Sequence, residues 1–264
     1  MAKAILYDST KCTGCRGCQV ACKQWNGLLA EETINRGTYE NPPDLSPDTW
    51  IKMKFREHDD PNAPGGLTWL FTRQACMHCT DAACVKVCPS GALSHNPLGF
   101  VQYQKDKCTG CGYCVEFCPF EVPRMRGSKI TGIRKMEKCL FCADRVSEGY
   151  EPACVKACPT EALQFGNRRE LLAIGWQRVE AIKETYPQAR LYGANEMGGL
   201  HVMYVLPYPP EVHGLPANPQ PPAAAMVHDV IQWVGVGAAV AVAAGLGLNL
   251  MVTRARMISE QEGK

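Results

Sequence analysis

The stretch Cys108-Thr-Gly-Cys111-Gly-Tyr-Cys114-Val-Glu-Phe-Cys118-Pro119 decides the fold of this chain. Its first three cysteines are separated by two residues each, and a fourth follows after three more residues and precedes a proline. Such spacing bends a short loop so that three thiolates face one cubane iron–sulfur cluster, while the fourth cysteine begins a helix and reaches a different cluster. The stretch therefore predicts a protein that carries electrons, with a motif that links two clusters.

The rest of the chain repeats this device. It holds 16 cysteines in 264 residues, which is a lower density than that of small disulfide-stapled proteins. A disulfide framework gives no reason for the recurring two-residue spacing, whereas metal binding does. Thiolates are the soft ligands that iron–sulfur clusters require, so four groups of four predict four [4Fe-4S] clusters. The groups are Cys12, Cys15, Cys18 and Cys22; Cys76, Cys79, Cys84 and Cys88; Cys108, Cys111, Cys114 and Cys118; and Cys139, Cys142, Cys154 and Cys158.

The role of the fourth cysteine predicts how the groups pair. Groups two and three are neighbours in the chain, so each is expected to give its last cysteine to the other group's cluster. Groups one and four must then pair across the chain, which nests the second unit inside the first. The predicted ligands are Cys12, Cys15, Cys18 and Cys158 for site A; Cys22, Cys139, Cys142 and Cys154 for site B; Cys76, Cys79, Cys84 and Cys118 for site C; and Cys88, Cys108, Cys111 and Cys114 for site D.

Two further features of these patterns have alternative explanations. Paired C-x2-C groups also suit tetrahedral zinc, so a zinc-stabilised scaffold is the non-redox alternative, although zinc does not need the longer cysteine run ending in proline. Three lysines, Lys11, Lys107 and Lys138, each precede the first cysteine of a group. They are either solvated side chains or positive charges that raise the potential of a nearby cluster.

Composition and local patterns complete the predicted architecture. The formal net charge is +2, and the chain has no basic tract that would indicate nucleic-acid binding. We predict an α+β fold with two nested ferredoxin-like dicluster units, insertions and one C-terminal transmembrane helix. Strands are expected at 4–7 (an edge strand), 50–55, 67–72, 98–103 and 201–206, a hairpin around 127–132, and a helix at 168–185 with Leu171, Leu172, Trp176, Val179 and Ile182 facing the core.

The predicted division of the chain follows from these elements. Seven prolines between residues 207 and 222 predict a stiff extended spacer. The predicted segments are 1–73, the first half of the outer unit with an insertion; 74–123, the inner unit; 124–206, the second half of the outer unit; 207–229, a proline-rich linker; 230–252, a transmembrane helix; and 253–264, a cytoplasmic tail.

The segment Val230–Val252 carries no charge and is long enough to cross a bilayer as a helix. Its many glycines and alanines leave a buried helix of a soluble protein as the alternative. Arg254 and Arg256 follow the segment, and the excess of positive charge on the cytoplasmic side of membranes predicts a cytoplasmic C-terminus. The cysteine-bearing part is then expected on the periplasmic face, although the chain begins without a recognisable signal peptide.

The sequence resembles a known family in strings beyond its cysteines. It is similar to the iron–sulfur β subunits of membrane-bound, respiratory-type formate dehydrogenases, within the molybdopterin oxidoreductase electron-transfer group. The similarity covers nearly the whole chain, although dimethyl sulfoxide, polysulfide and nitrate reductases share the cysteine pattern. The matching strings are Cys18-Gln-Val-Ala-Cys22, Trp25-Asn26, Asn41-Pro-Pro-Asp-Leu-Ser46, Cys76-Met-His-Cys79, Cys111-Gly-Tyr-Cys114, Asp144-Arg-Val-Ser147, Glu151-Pro-Ala-Cys-Val-Lys156, Cys158-Pro-Thr160 and His201-Val-Met-Tyr-Val-Leu206.

The resemblance implies a non-catalytic electron-transfer subunit. Its expected partners are a catalytic subunit with a molybdenum or tungsten pterin, a membrane subunit with cytochrome b or a quinone site, and the lipid bilayer around residues 230–252. The alternatives of the same class are the equivalent subunit of a polysulfide, thiosulfate or dimethyl sulfoxide reductase, or of a membrane hydrogenase.

Overall fold

The computed structural model describes residues 1–61, 63–128, 130–132 and 134–262. The chain forms two compact units, Met1–Pro222 and a second unit that begins at Ala223. The strands of the first unit are β1 (Lys3–Asp8), β2 (Lys52–Asp59), β3 (Leu67–Gln74), β4 (Leu93–His95), β5 (Val101–Tyr103), β6 (Arg124–Gly127), β7 (Arg134–Glu137), β8 (Leu163–Asn167), β9 (Arg190–Tyr192) and β10 (Val202–Leu206). Its helices are α1 (Gly17–Trp25), α2 (Ala83–Lys86), α3 (Tyr113–Glu116), α4 (Ala143–Ser147), α5 (Ala153–Lys156) and α6 (Arg168–Ile182), and α7 (Ala223–Glu262) belongs to the second unit.

The first unit contains a four-stranded sheet in the order β8-β1-β10-β9. Strand β1 pairs in parallel with β10, with Ile5 opposite Val202, and antiparallel with β8, with Tyr7 opposite Leu163. The prediction of β1 as an edge strand is therefore wrong. Both faces of β1 are covered, because Leu6 packs towards α6 and Tyr7 packs towards the core that holds the cysteines.

Helix α6 covers one face of this sheet, as its apolar periodicity predicts. The Asn167 side chain caps the helix by accepting a hydrogen bond from the Arg169 backbone N–H at 3.0 Å. The prediction that Trp176 faces the core is wrong, since its side chain is 50% exposed. Gly175 occupies that side of the helix instead, and a Cβ atom there would lie 2.8 Å from Leu191. The helix therefore lies too close to the sheet at this turn for a larger residue.

Short helices that carry cysteines pack in two pairs. Helix α1 contacts α5, and helix α2 contacts α3. The first pair joins cysteine groups one and four, and the second pair joins groups two and three. The same unit contains three antiparallel hairpins, β2–β3, β4–β5 and β6–β7. They agree in position with the predicted strands at 50–55, 67–72 and 98–103 and with the predicted hairpin around 127–132.

The proline-rich stretch 207–222 belongs to the first compact unit and is not an extended spacer. Its His213 is buried, with Nδ1 3.0 Å from the Thr72 hydroxyl. The Tyr192 hydroxyl donates a hydrogen bond of 2.8 Å to the Pro216 carbonyl. The stretch packs because its apolar and aromatic residues reach the core between the prolines, which themselves bring no backbone N–H that needs a partner.

Helix α7 contains the predicted spanning segment 230–252 and extends beyond it at both ends. Within the ranges that the structure describes, no helix combines the length and the apolar character that crossing a membrane requires. The last two residues of the predicted tail, 263 and 264, lie outside the described residues.

Candidate iron–sulfur sites

The first two cysteines of every group are joined by the same backbone turn. The residue before the second cysteine adopts a left-handed conformation in all four groups, with φ of 67° at Gly14, 49° at His78, 76° at Gly110 and 60° at Phe141. This conformation is uncommon for residues other than glycine. At Gly110 crowding also excludes a side chain, since a Cβ atom would lie 2.4 Å from the Arg134 carbonyl oxygen. The four groups therefore repeat one loop geometry.

Backbone amides point at several of the sulfur atoms. The N–H groups of Gly14, Gly17 and Phe141 donate hydrogen bonds of 3.4 Å to Cys12, Cys15 and Cys139 respectively. Hydrogen bonds to sulfur stabilise negative charge at a thiolate and tune the electronic properties of a bound cluster.

Cysteines from the two ends of the unit converge at site B. Burial, together with the negative charges of Cys139, Cys154 and Cys142, raises the pKa of Cys22 well above its ordinary value. These three residues lie more than 100 positions further along the chain. At site A, burial raises the pKa of Cys12, and the thiolates of Cys15 and Cys158 add to the effect.

The inner groups converge in the same way. At site C, burial and the thiolates of Cys76, Cys84 and Cys118 raise the pKa of Cys79. At site D, burial raises the pKa of Cys114 to about 12, with contributions from the other three predicted ligands, Cys111, Cys108 and Cys88.

The predicted ligand sets thus correspond to groups of neighbouring thiols, and the assignment of four ligands to each cluster stays a prediction. The site D set lines one cavity together with Leu93, Met125 and Met136. A donor set made only of thiols, in a cavity that is otherwise largely apolar, fits a cubane cluster. Among the described residues, no three Cys, His, Asp or Glu side chains form a group that would hold a single metal ion.

Electrostatic interactions between thiols of different sets indicate a linear order of the four sites. The thiolate of Cys154 in site B raises the pKa of Cys18 in site A. Cys139 in site B acts in the same way on Cys76 in site C. Cys114 in site D acts on Cys84 in site C. These neighbours define the order A, B, C, D.

The two ends of this order reach the surface. All 16 cysteines lie in the described part of the chain, and the exposed ones are Cys15 and Cys111. Cys15 belongs to site A and Cys111 to site D, so each terminal site presents one predicted ligand to solvent. The middle sites B and C present none that is exposed.

One basic residue near the cysteines was not anticipated from the sequence. Arg73 is 0% exposed, and its Nη2 lies 4.0 Å from the Cys154 sulfur atom. Burial lowers the pKa of Arg73, but nearby negative charges, that of Cys154 foremost, more than offset this and leave it raised. The sequence gives no sign of this position, because Arg73 stands at the polar end of a strand where an exposed side chain is the usual outcome.

The three lysines that precede cysteine groups differ in their burial. Lys11 and Lys107 are exposed, in agreement with solvated side chains. Lys138 is 1% exposed, and its Nζ donates hydrogen bonds of 3.0 Å to the carbonyl oxygens of Val101 and Cys139. Its positive charge lowers the pKa of Cys76, although burial keeps that pKa raised, at about 11.

Comparison with known proteins supports iron–sulfur binding by this chain. Residues 67–168 and residues 11–92 each match a family model described as a 4Fe-4S dicluster domain. The iron–sulfur subunit of the nitrate-inducible formate dehydrogenase of Escherichia coli is 44% identical over 222 residues, which are 82% of this chain and 73% of the relative. The formate dehydrogenase iron–sulfur subunit of Haemophilus influenzae is 44% identical over 225 residues, 82% of this chain and 69% of the relative.

A third relative is more distant but matches over nearly its whole length. The β subunit of formate dehydrogenase 2 (cytochrome c-553) of Nitratidesulfovibrio vulgaris is 36% identical over 211 residues, 77% of this chain and 94% of the relative. Fold and sites define an iron–sulfur electron-transfer protein, and two dicluster domains imply four [4Fe-4S] clusters. The chain belongs to the family of formate dehydrogenase iron–sulfur subunits, which transfer electrons and do not contain the catalytic site.

Proposed function

We propose that this chain carries electrons from a formate-oxidising subunit with a molybdenum or tungsten pterin to a membrane subunit with cytochrome b or a quinone site. The observation that carries the proposal is the linear order of sites A to D with one exposed cysteine at each end. An order of this kind gives one terminal site to each partner. Bound clusters supply one-electron carriers, and the residues of the chain hold and insulate them.

The proposed ligands are the four sets predicted from motif spacing. Burial alone disfavours a charged thiolate, which is why the pKa values of Cys22 and Cys79 are raised. A bound metal centre reverses this preference, because its positive charge lets a buried cysteine lose its proton. The buried sites B and C therefore suit ligands of a cluster better than free thiols.

We also propose that α7 attaches the chain to a membrane, with the cysteine-bearing unit on the periplasmic face and the C-terminus in the cytoplasm. The support is the uncharged run from Val230 to Val252 and the two arginines that follow it. Carbonate extraction of membranes tests this proposal. The membranes come from the native host, which produces either the full-length chain or a chain that ends before Ala223. The proposal expects the full chain to stay in the pellet and the truncated chain to be released, and release of both chains would contradict it.

The electron-transfer role is tested on the intact complex. Purified complex is mixed with formate and an artificial electron acceptor, and reduction of the acceptor is followed together with the reduced-cluster EPR signals of this chain. The proposal expects both signals to appear with formate. Activity that appears only with hydrogen or with sulfur compounds would assign the chain to one of the related oxidoreductases instead.

A further inference from the structure

We propose that Arg73 sets the reduction potential of site B, and to a smaller extent that of site A, by holding a permanent positive charge beside Cys154. The inference rests on cluster binding by the proposed electron-transfer subunit, but it does not depend on formate as the substrate. It concerns a residue that is not among the sixteen predicted ligands and that contacts a ligand of site B.

The position of Arg73 is fixed by its strand and by the core. It is the penultimate residue of β3, and its backbone carbonyl accepts a hydrogen bond of 2.5 Å from the Tyr204 hydroxyl of β10. Its guanidinium group lies 4.0 Å from Cys154 of site B through Nη2. The same charge lowers the pKa of Cys18 of site A, which burial holds at about 12. One cation therefore acts on ligands of both sites.

Arg73 differs in its hydrogen bonding from an arginine that stabilises the fold. Its Nε and Nη1 atoms are buried and have no hydrogen-bond partner within the described part of the chain. Arg168, by contrast, donates to the carbonyl oxygens of Leu200, Gly193 and Ala194. A buried group without partners is costly, so an unpaired guanidinium indicates that the negative charge of bound clusters completes its surroundings.

The expected electrostatic effect has a definite sign. A guanidinium group stays protonated at every pH that a protein tolerates. Its field acts strongly in the interior because the effective dielectric constant there is lower than in water. Adding an electron to a cluster increases negative charge, so a nearby cation favours the reduced form and raises the reduction potential. Site B should respond most to Arg73, site A should respond less, and site D should not respond.

The test is a potentiometric titration of the full-length protein with its clusters, followed by EPR. In Arg73→Gln, the proposal expects the equilibrium constant for reduction of site B to fall at least tenfold, which corresponds to 59 mV for a one-electron couple, and that of site A to fall by less. Site D should keep its potential. Arg73→Lys, which retains the charge, should restore most of the loss. Unchanged potentials at A and B, or equal shifts at all four sites, would overturn the proposal.

Two further measurements separate tuning from a structural role. Arg168→Gln is the matched control, and it should lower the melting temperature without shifting any potential. Pulsed EPR on the reduced wild-type protein with 15N-labelled arginine side chains needs no altered fold. It should detect nitrogen coupled to a cluster, with loss of that coupling in Arg73→Lys, and its absence in the wild type would contradict the proposed contact. All of these readouts are taken without formate, so they are independent of the partner assignment.

Discussion

Cys22 connects two cysteine groups that are far apart in the sequence. It lies on α1, after the three closely spaced cysteines of the first group. Its neighbouring thiols, however, are Cys139, Cys142 and Cys154 of the fourth group. Motif spacing predicts that these four cysteines share a cluster, because the last cysteine of such a run reaches the cluster of another group.

The crossed assignment predicts different losses from two equivalent substitutions. Cys22→Ser should perturb or remove the cluster of site B and leave site A intact, since serine is a poor replacement for a thiolate ligand. Cys158→Ser is the matched variant and should affect site A only. Redox-poised EPR of the two variants resolves which signals change. Loss of the site A signal in Cys22→Ser would refute the assignment.

A second prediction concerns the loss of iron after a single substitution at Gly110. Alanine here carries the cost of a left-handed backbone, about 1 kcal/mol, and also places a Cβ atom 2.4 Å from the Arg134 carbonyl oxygen. Because β7 cannot withdraw without breaking its hairpin, the Cys108–Cys111 loop should shift. Gly110→Ala should therefore lose iron from site D, roughly four atoms per chain.

Gly91→Ala is the matched control for this substitution. Gly91 has φ of 62°, and an added Cβ atom would meet nothing within 4 Å. This variant should lose about 1 kcal/mol of stability and keep its full iron content. Equal iron content in the Gly110 and Gly91 variants would show that the close approach of Arg134 does not hold the loop.

The packing of the stretch 207–222 should make the free energy of unfolding depend on pH. Burial, assisted by the positive charge of Arg56 and by His58, lowers the pKa of His213 from 6.5 to about 4. Above pH 6.5 His213 is neutral in both states. Between pH 6.5 and 4 the unfolded chain binds the proton more tightly, so the free energy of unfolding falls as the pH falls.

This shift predicts a measurable loss of stability in mild acid. Between pH 7.5 and 5.5 His213 should account for a loss of roughly 1.4 kcal/mol in the free energy of unfolding. His213→Gln should remove that part of the pH dependence, whereas His95→Gln, at an exposed position, should retain it. Thermal unfolding across this pH range measures the difference. An identical pH dependence in wild type and His213→Gln would argue against a buried neutral histidine.

The sequence predicts the elements better than it predicts their surroundings. The apolar run before the first group and the periodicity after Asn167 locate β1 and α6, because both patterns are local. That β1 lies inside the sheet depends on its pairing with β10, almost 200 residues away. The burial of His213 likewise depends on β3, which no local pattern in a proline-rich stretch can indicate.

Considered as a whole, the first unit is a series of four neighbouring cysteine sites with exposed ends. Cysteine spacing predicts the candidate ligands because the loop geometry is encoded within each group. It does not predict Arg73, since the contact between β3 and the Cys154 helix joins segments that share no motif. The linear order of the sites likewise appears only when the groups are folded together.

The iron and acid-labile sulfide content of the purified full-length chain, prepared without oxygen, distinguishes a carrier of four clusters from the alternatives. Sixteen thiolate ligands in four cubane sites predict about sixteen iron and sixteen sulfide per chain. Zinc without sulfide would contradict the account and favour a structural scaffold. About eight iron and eight sulfide would show that only one of the two nested units binds clusters, and the continuous series from site A to site D would not exist.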